Sequence, residues 1–181
     1  MDTIIDALYR QNQEALDLAV RSQEFSIASD LDSKLKKHLI VAAASYFETE
    51  ICALMEEFSG KASRGNPAII TLIKKKVIDR QYHTMFAWDS RNANSFFSMF
   101  GEPFNGHCRS VVKSDDTLEN AMIAFLELGE MRNQMVHRNF ASHPIDKTSE
   151  EVYALYKNAG RFLEFIRGSL QEASSTSNSV V

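Results

Sequence analysis

Proline and glycine are scarce, with 3 and 7 among 181 residues. Folds built from many tight turns need both, so an all-β chain is disfavoured and long helices are expected. Cysteine is scarcer still. Cys52 and Cys108 cannot build a disulfide framework or a four-cysteine zinc site, and they read as reduced thiols of a cytoplasmic protein. Positive charge is not in excess: 20 Lys and Arg against 24 Asp and Glu leave a formal net charge of −4. That excludes a uniformly basic nucleic-acid coat while leaving room for a local basic patch. No run approaches the roughly 18 apolar residues of a membrane span. The N-terminus opens on Asp2 without the positive stretch of a signal peptide, so a soluble chain is expected.

Motifs with a built-in chemistry are missing too. The glycine-rich phosphate loops, H-E-x-x-H, the EF-hand loop and G-x-S-x-G do not occur. The five histidines, His38, His83, His107, His137 and His143, are scattered. His107-Cys108 offers two metal ligands that nothing at ligand spacing completes, so no metal and no cofactor is expected.

What is present is a helical chain. Hydrophobic residues make up 44% and charged residues 24%, the balance of a globular domain. Residues 2–59 contain no Gly and no Pro. A first helix is expected over 3–24, with Ile4, Ile5, Leu8, Ala15, Leu18 and Val20 apolar, broken at EFSIASD. A second runs from about 30 to 59 on Leu35, Leu39, Ala42, Ala43, Tyr46, Ala53 and Leu54. Asn66-Pro67 is a cap followed by proline at the first helical position, and it opens a third helix to about Arg80. Residues 81–114 read as an irregular insert. Within it, RNANSFFSMFG forms a short helix closed by Gly101, and Phe96, Phe97, Met99 and Phe100 are core. Asp116-x-x-Glu119 and Thr148-x-x-Glu151 are capping-box patterns that open helices over about 116–140 and 148–170. The expected architecture is all-α: an up-and-down helical bundle with a short irregular insert at about 81–114. Residues 1–172 form a single domain, and the polar stretch 173–181 is a disordered tail.

The 116–140 helix carries the chemical signal. On a helical wheel, Leu118, Ala121, Met122, Phe125, Leu128, Val136 and Phe140 build one apolar stripe, and Arg132 falls near its centre. The polar side holds Asn120, Glu127, Glu130, Gln134 and Arg138. Asn133 and His137 are four residues apart at the stripe's edge, so their side chains can meet. A guanidinium buried without an anion loses several kcal/mol of hydration. Either an internal carboxylate pairs with it, with Glu50 on the second helix as the candidate, or the stripe faces a cleft or partner.

The string Arg132-Asn133-Gln134-Met135-Val136-His137 resembles the R-N-x-x-x-H signature of the HEPN superfamily. AAASYFETEI (42–51), with its Phe47-Glu48 step, resembles the long helix of the RiboL-PSP type of that superfamily. The segment from Trp88 to Gly101 is similar to its short insert. The resemblance spans about residues 30–167 and leaves 1–25 unplaced. It implies a metal-independent endoribonuclease from the toxin–antitoxin or antiviral defence systems in which such bundles occur. His137 would move a proton to or from RNA, because an imidazole titrates near neutrality. Arg132 would grip the scissile phosphate. Asn133 would fix the imidazole tautomer or hold a phosphate oxygen. Glu48, Glu50 and Arg138 are supporting candidates, with Glu48 either an exposed helix charge or an orienting group for Arg132 or His137. One imidazole does not serve as acid and base at once, and the resemblance implies a C2 homodimer whose two motifs share one cleft. A defence-system partner or antitoxin is a further expectation, as is the alternative of a catalytically inactive module that binds a nucleotide or partner. Lys34, Lys36, Lys37, Lys74, Lys75, Lys76 and Arg80 are candidate RNA contacts, or solvated faces.

Overall fold

A computed structural model describes residues 2–138, 140 and 143–176. Among these residues eight α-helices follow one another: α1 (Ile4–Arg21), α2 (Phe25–Ala62), α3 (Pro67–Ile73), α4 (Tyr82–Met85), α5 (Asn94–Ser98), α6 (Glu102–Ser114), α7 (Asp116–His137) and α8 (Ser149–Thr176). A π-helical turn, Lys74–Ile78, extends α3, and no strand occurs among the described residues. The most extensive packing joins α7 to α8, α2 to α8 and α1 to α2. The fold is therefore the expected all-α bundle.

Local signals place most helix starts. Asn66 Oδ1 accepts from the backbone N–H of Ala68 at 3.1 Å and Ile69 at 3.3 Å, so Asn66-Pro67 opens α3 as expected. Thr148 and Glu151 exchange reciprocal capping bonds of 3.2 and 2.7 Å. At α7 the cap is Asp115 rather than Asp116, because the Asp115 carboxylate accepts from Thr117 and Leu118. A capping box of Thr3 and Asp6, legible in T-x-x-D, opens α1.

Four expectations need correction. The break between the first two helices falls at residues 22–24, and Phe25–Asp30 of EFSIASD already belong to α2. The insert is irregular only to Gly101; Glu102–Ser114 is a regular helix, since proline is tolerated in a helix's first turn. The last helix runs on to Thr176, so residues 173–176 belong to it, and the rest of the expected tail, 177–181, lies outside the described residues. In α1, Ile5 is buried but Ile4 is 76% exposed, and Leu18 and Val20 are exposed too, because α1 packs mainly on one side, against α2. Although α2 is long and apolar enough to cross a membrane by length and composition, Leu35, Leu39, Ile40, Ala43, Phe47, Ile51 and Leu54 all join the core.

Aromatic side chains bolt the insert to the bundle. Phe125 on α7 lies 5.3 Å from Phe47 on α2, 5.4 Å from Phe162 on α8 and 5.0 Å from Phe86 in the insert. Phe86 stacks on Phe96 at 4.7 Å. Phe96 and Phe97 are buried as expected, whereas Met99 is exposed. Offset and tilted ring pairs of this kind add to the stabilisation from buried area. They hold the insert beside the second half of α7, and the candidate site forms there.

Candidate functional site

Helix α7 has two faces. Ala121, Met122, Phe125, Leu128 and Met135 turn into the core. Arg132, Asn133, Val136 and His137 turn out of it and, with the buried Gly129, line a cleft of about 410 Å³. These five positions follow the i, i+3, i+4, i+7, i+8 rule of a single helix face. Arg132 is thus not in a dry core. Val136, assigned to the apolar stripe from sequence, is 56% exposed, and Met135 takes the core position instead. Phe140 lies beyond the helix and is 42% exposed.

Two other walls complete the cleft. Ala44 and Glu48 come from α2, one turn apart, and Arg80, Tyr82, His83 and Trp88 come from the start of the insert. The wall is locked in place by close contact. A Cβ on Gly129 would lie 2.1 Å from two ring carbons of Trp88, so only glycine lets the indole approach α7. The Trp88 indole N–H donates to the carbonyl of His83 at 2.9 Å. Arg80 closes the turn after the π-helical segment with φ +61°, a left-handed conformation that non-glycine residues seldom adopt, and such strain gathers at functional sites.

The cleft carries charge of both signs, Arg80 and Arg132 against Glu48. Arg132 is half-buried, and among the described residues no carboxylate lies within ion-pair distance of it. Its Nη1 donates to Asn133 Oδ1 at 3.1 Å. Asn133 therefore steadies the guanidinium, and its carbonyl is not on His137 as the four-residue spacing had suggested. Tyr82 is buried against the same charges. Burial, and then the charges of Glu48 and Cys52, push its phenol well above 10.0, while Arg132 opposes them.

The candidate carboxylates separate cleanly. Glu48 lines the cleft. Glu50 does not, and the expected Arg132–Glu50 pair is absent: Glu50 accepts from Arg167 Nη2 on α8 at 2.8 Å. Two residues apart on a helix is about 200° of rotation, so when one carboxylate faces the cleft the other faces away. Arg138 lies just past the end of α7 and lines an adjoining cleft with Asp89 and Glu130, on the other side of Trp88, Asn133 and His137.

Most of the lysines hold structure. Lys34 pairs with Asp30, Lys74 pairs with Glu56, and Lys36 and Lys37 donate to the carbonyls of Ile145 and Phe140. Of the basic residues near the ends of the second and third helices, Arg80 is the one that reaches the cleft. Tyr82, His83, Trp88 and Gly129 were not singled out as site residues from sequence. A glycine in mid-helix and the single tryptophan were the available signals.

The family model RiboL-PSP-HEPN matches residues 6–172. The chain belongs to the RiboL-PSP-HEPN family. The match takes in residues 6–25, which the sequence resemblance had left unplaced. No curated protein and no solved structure matches this HEPN chain significantly. In it, the R-N-x-x-x-H string is the cleft-facing end of α7.

Proposed function

We propose that this HEPN protein is a metal-independent endoribonuclease that acts as a toxin or effector in bacterial defence. The observation that carries this reading is the half-buried Arg132 guanidinium, which has no carboxylate partner among the described residues and shares a cleft with His137. Such a group favours an anion, and a guanidinium suits the two free oxygens of a phosphodiester. With RNA bound, Arg132 holds the scissile phosphate and stabilises the charge that builds on it, Asn133 steadies Arg132, and His137 moves a proton. The ribose 2′-oxygen attacks phosphorus and the bond to the 5′-oxygen breaks. The products are a 2′,3′-cyclic phosphate and a 5′-hydroxyl.

The working form is a C2 homodimer. Val136, apolar and exposed in the cleft wall, and the exposed Phe140 give a second protomer something to cover. Light scattering that finds only a monomer would count against this part of the reading.

Incubating the purified protein with total RNA in EDTA tests the activity, alongside Arg132→Ala and His137→Ala. The expected result is cleavage by the wild type alone. Equal cleavage by all three would expose a contaminant and sink the reading. No cleavage by folded wild type would favour an inactive module that binds a nucleotide in the same cleft. Growth arrest on expression, relieved by His137→Ala, is the expected sign of the toxin role.

A further inference from the structure

A phosphodiester in the cleft offers two free oxygens, and the charge on them grows as the 2′-oxygen attacks. Donors already in place meet that charge without reorganising. Arg132 supplies one such group from α7. The insert brings a second polar group to the same cleft, the phenol of Tyr82 on α4.

Tyr82 is only 9% exposed, yet its hydroxyl makes no hydrogen bond among the described residues. A buried tyrosine usually finds a partner for that group. Two others in this chain do: Tyr153 donates to Asp6 at 2.7 Å, and Tyr156 shares a bond of 2.6 Å with Thr3. Nor is the Tyr82 oxygen one of the sealed polar atoms left without a partner, which among the described residues are Gln13 Oε1 and Asn105 Oδ1. The small part of Tyr82 that stays open therefore includes its hydroxyl, and the residue lines the cleft.

The phenol ring is held in place. It lies 5.4 Å from Trp88 and 6.1 Å from Phe86, centroid to centroid. Trp88 in turn presses on Gly129, one helical turn before Arg132 and Asn133. The charge of Arg132 acts on the phenol, so the two groups are close enough to meet one anion from two walls. Burial first, then Glu48 and Cys52, keep the hydroxyl protonated far above neutral pH, against the pull of Arg132. It is a donor at any working pH.

We infer that the Tyr82 hydroxyl donates a hydrogen bond to a free oxygen of the phosphate that Arg132 grips, which makes the anion site a clamp of two walls. This rests on the ribonuclease reading above. Arg132 contributes charge, and Tyr82 contributes a neutral, fixed donor. Tyr82 moves no proton; it binds.

The test uses Tyr82→Phe, which removes one oxygen and keeps the ring, beside Arg132→Ala and wild type. The single tryptophan lines the cleft next to Tyr82, so its emission reports binding. The probe is a short 2′-fluoro oligouridine, which carries the phosphates and cannot be cleaved by 2′-oxygen attack. Tyr82→Phe should bind it about 10-fold or more weakly than wild type, the cost of losing a hydrogen bond to a charged group. Its salt dependence should match wild type, because a neutral donor releases no counterion, whereas Arg132→Ala should flatten it. On RNA, cleavage by Tyr82→Phe should fall by at least as much, with Tm and the shape of the pH profile unchanged. Binding and cleavage near wild type would overturn the inference, and so would wild type that fails to bind the probe. A lowered Tm or a flattened salt dependence in Tyr82→Phe would also overturn it, since the hydroxyl would then act through the fold or through Arg132. In each of these cases RNA cleavage that still depends on Arg132 and His137 leaves the ribonuclease reading standing. Binding that depends on Tyr82, without any cleavage of RNA, would retire the ribonuclease reading and keep the phosphate contact.

Discussion

Two regions of the bundle treat charge in opposite ways. Where α1 meets α8, the buried carboxylate of Asp6 is fully engaged. It accepts from the Tyr153 hydroxyl at 2.7 Å, from Lys157 at 3.1 Å and from the Thr3 backbone at 2.7 Å. Tyr9 stacks on Tyr153 with ring centroids 3.9 Å apart, and Thr3 and Tyr156 share a hydroxyl hydrogen bond of 2.6 Å. In the cleft, Arg132 has an amide for company and no carboxylate partner among the described residues. A buried charge that the fold needs is satisfied internally, because leaving it bare costs several kcal/mol. Arg132 is only half-buried and open to the cleft, which leaves it available for the phosphate contact proposed above.

The strongest way to break this comparison is Arg132→Ala. Cleavage should fall about 100- to 1,000-fold, the usual cost of removing a group that stabilises transition-state charge, with little change in Tm. A large fall in Tm would show instead that Arg132 serves the fold. Gly129→Ala comes next. Its Cβ would collide with Trp88, so the variant should lose about 1–3 kcal/mol of stability and shift the emission of the single tryptophan. An unchanged spectrum would mean that the indole does not depend on the missing side chain.

Asp6→Asn should cost about 2 kcal/mol by denaturant titration, because it weakens four hydrogen bonds to a charged acceptor, and it should leave RNA cleavage intact. The same clamp sets a pH window. Burial pushes the Asp6 carboxyl up, but the Tyr153 hydroxyl, the Thr3 backbone and Lys157 outweigh it and hold it well below 3.8. Its contribution is complete above that ordinary value and is lost as the pH falls below it. Tyr153 and Tyr156 titrate in the opposite sense. Burial first, then the charge of Asp6, pushes each to about 12 from 10.0, so their contribution is whole below 10.0 and lost as the pH climbs toward 12. Asp6→Asn should flatten the acid side of this stability profile. The smallest effect belongs to Glu50→Gln. The Glu50–Arg167 pair is about one-third exposed, so its loss should cost no more than about 1 kcal/mol and leave cleavage unchanged.

Local chemistry explains what could be read without a structure. The Asn66-Pro67 start and the Thr148–Glu151 box depend on atoms within three residues of each other, and both hold. Arg132 stood out because a cation in an apolar stripe conflicts with burial, whatever the stripe faces. The rest involved relations between distant segments. Asp115 and Asp116 are equally good caps by type, and hydrogen-bond geometry chose the first. Glu48 and Glu50 are equally good carboxylates, and the rotation of α2 against α7 and α8 sent one to the cleft and the other to Arg167.

The sequence by itself determined the long helices of the bundle, the family signature and the presence of an arginine, an asparagine and a histidine near one helix end, because capping and helical periodicity act over a few residues. Only the tertiary structure decided which face of α7 leaves the core, which carboxylate shares the cleft and that His83 and His137 line it together. Those outcomes depend on how Trp88 seats against Gly129 and how the Phe86–Phe125 cluster docks the insert, and packing between distant segments leaves no period in the chain.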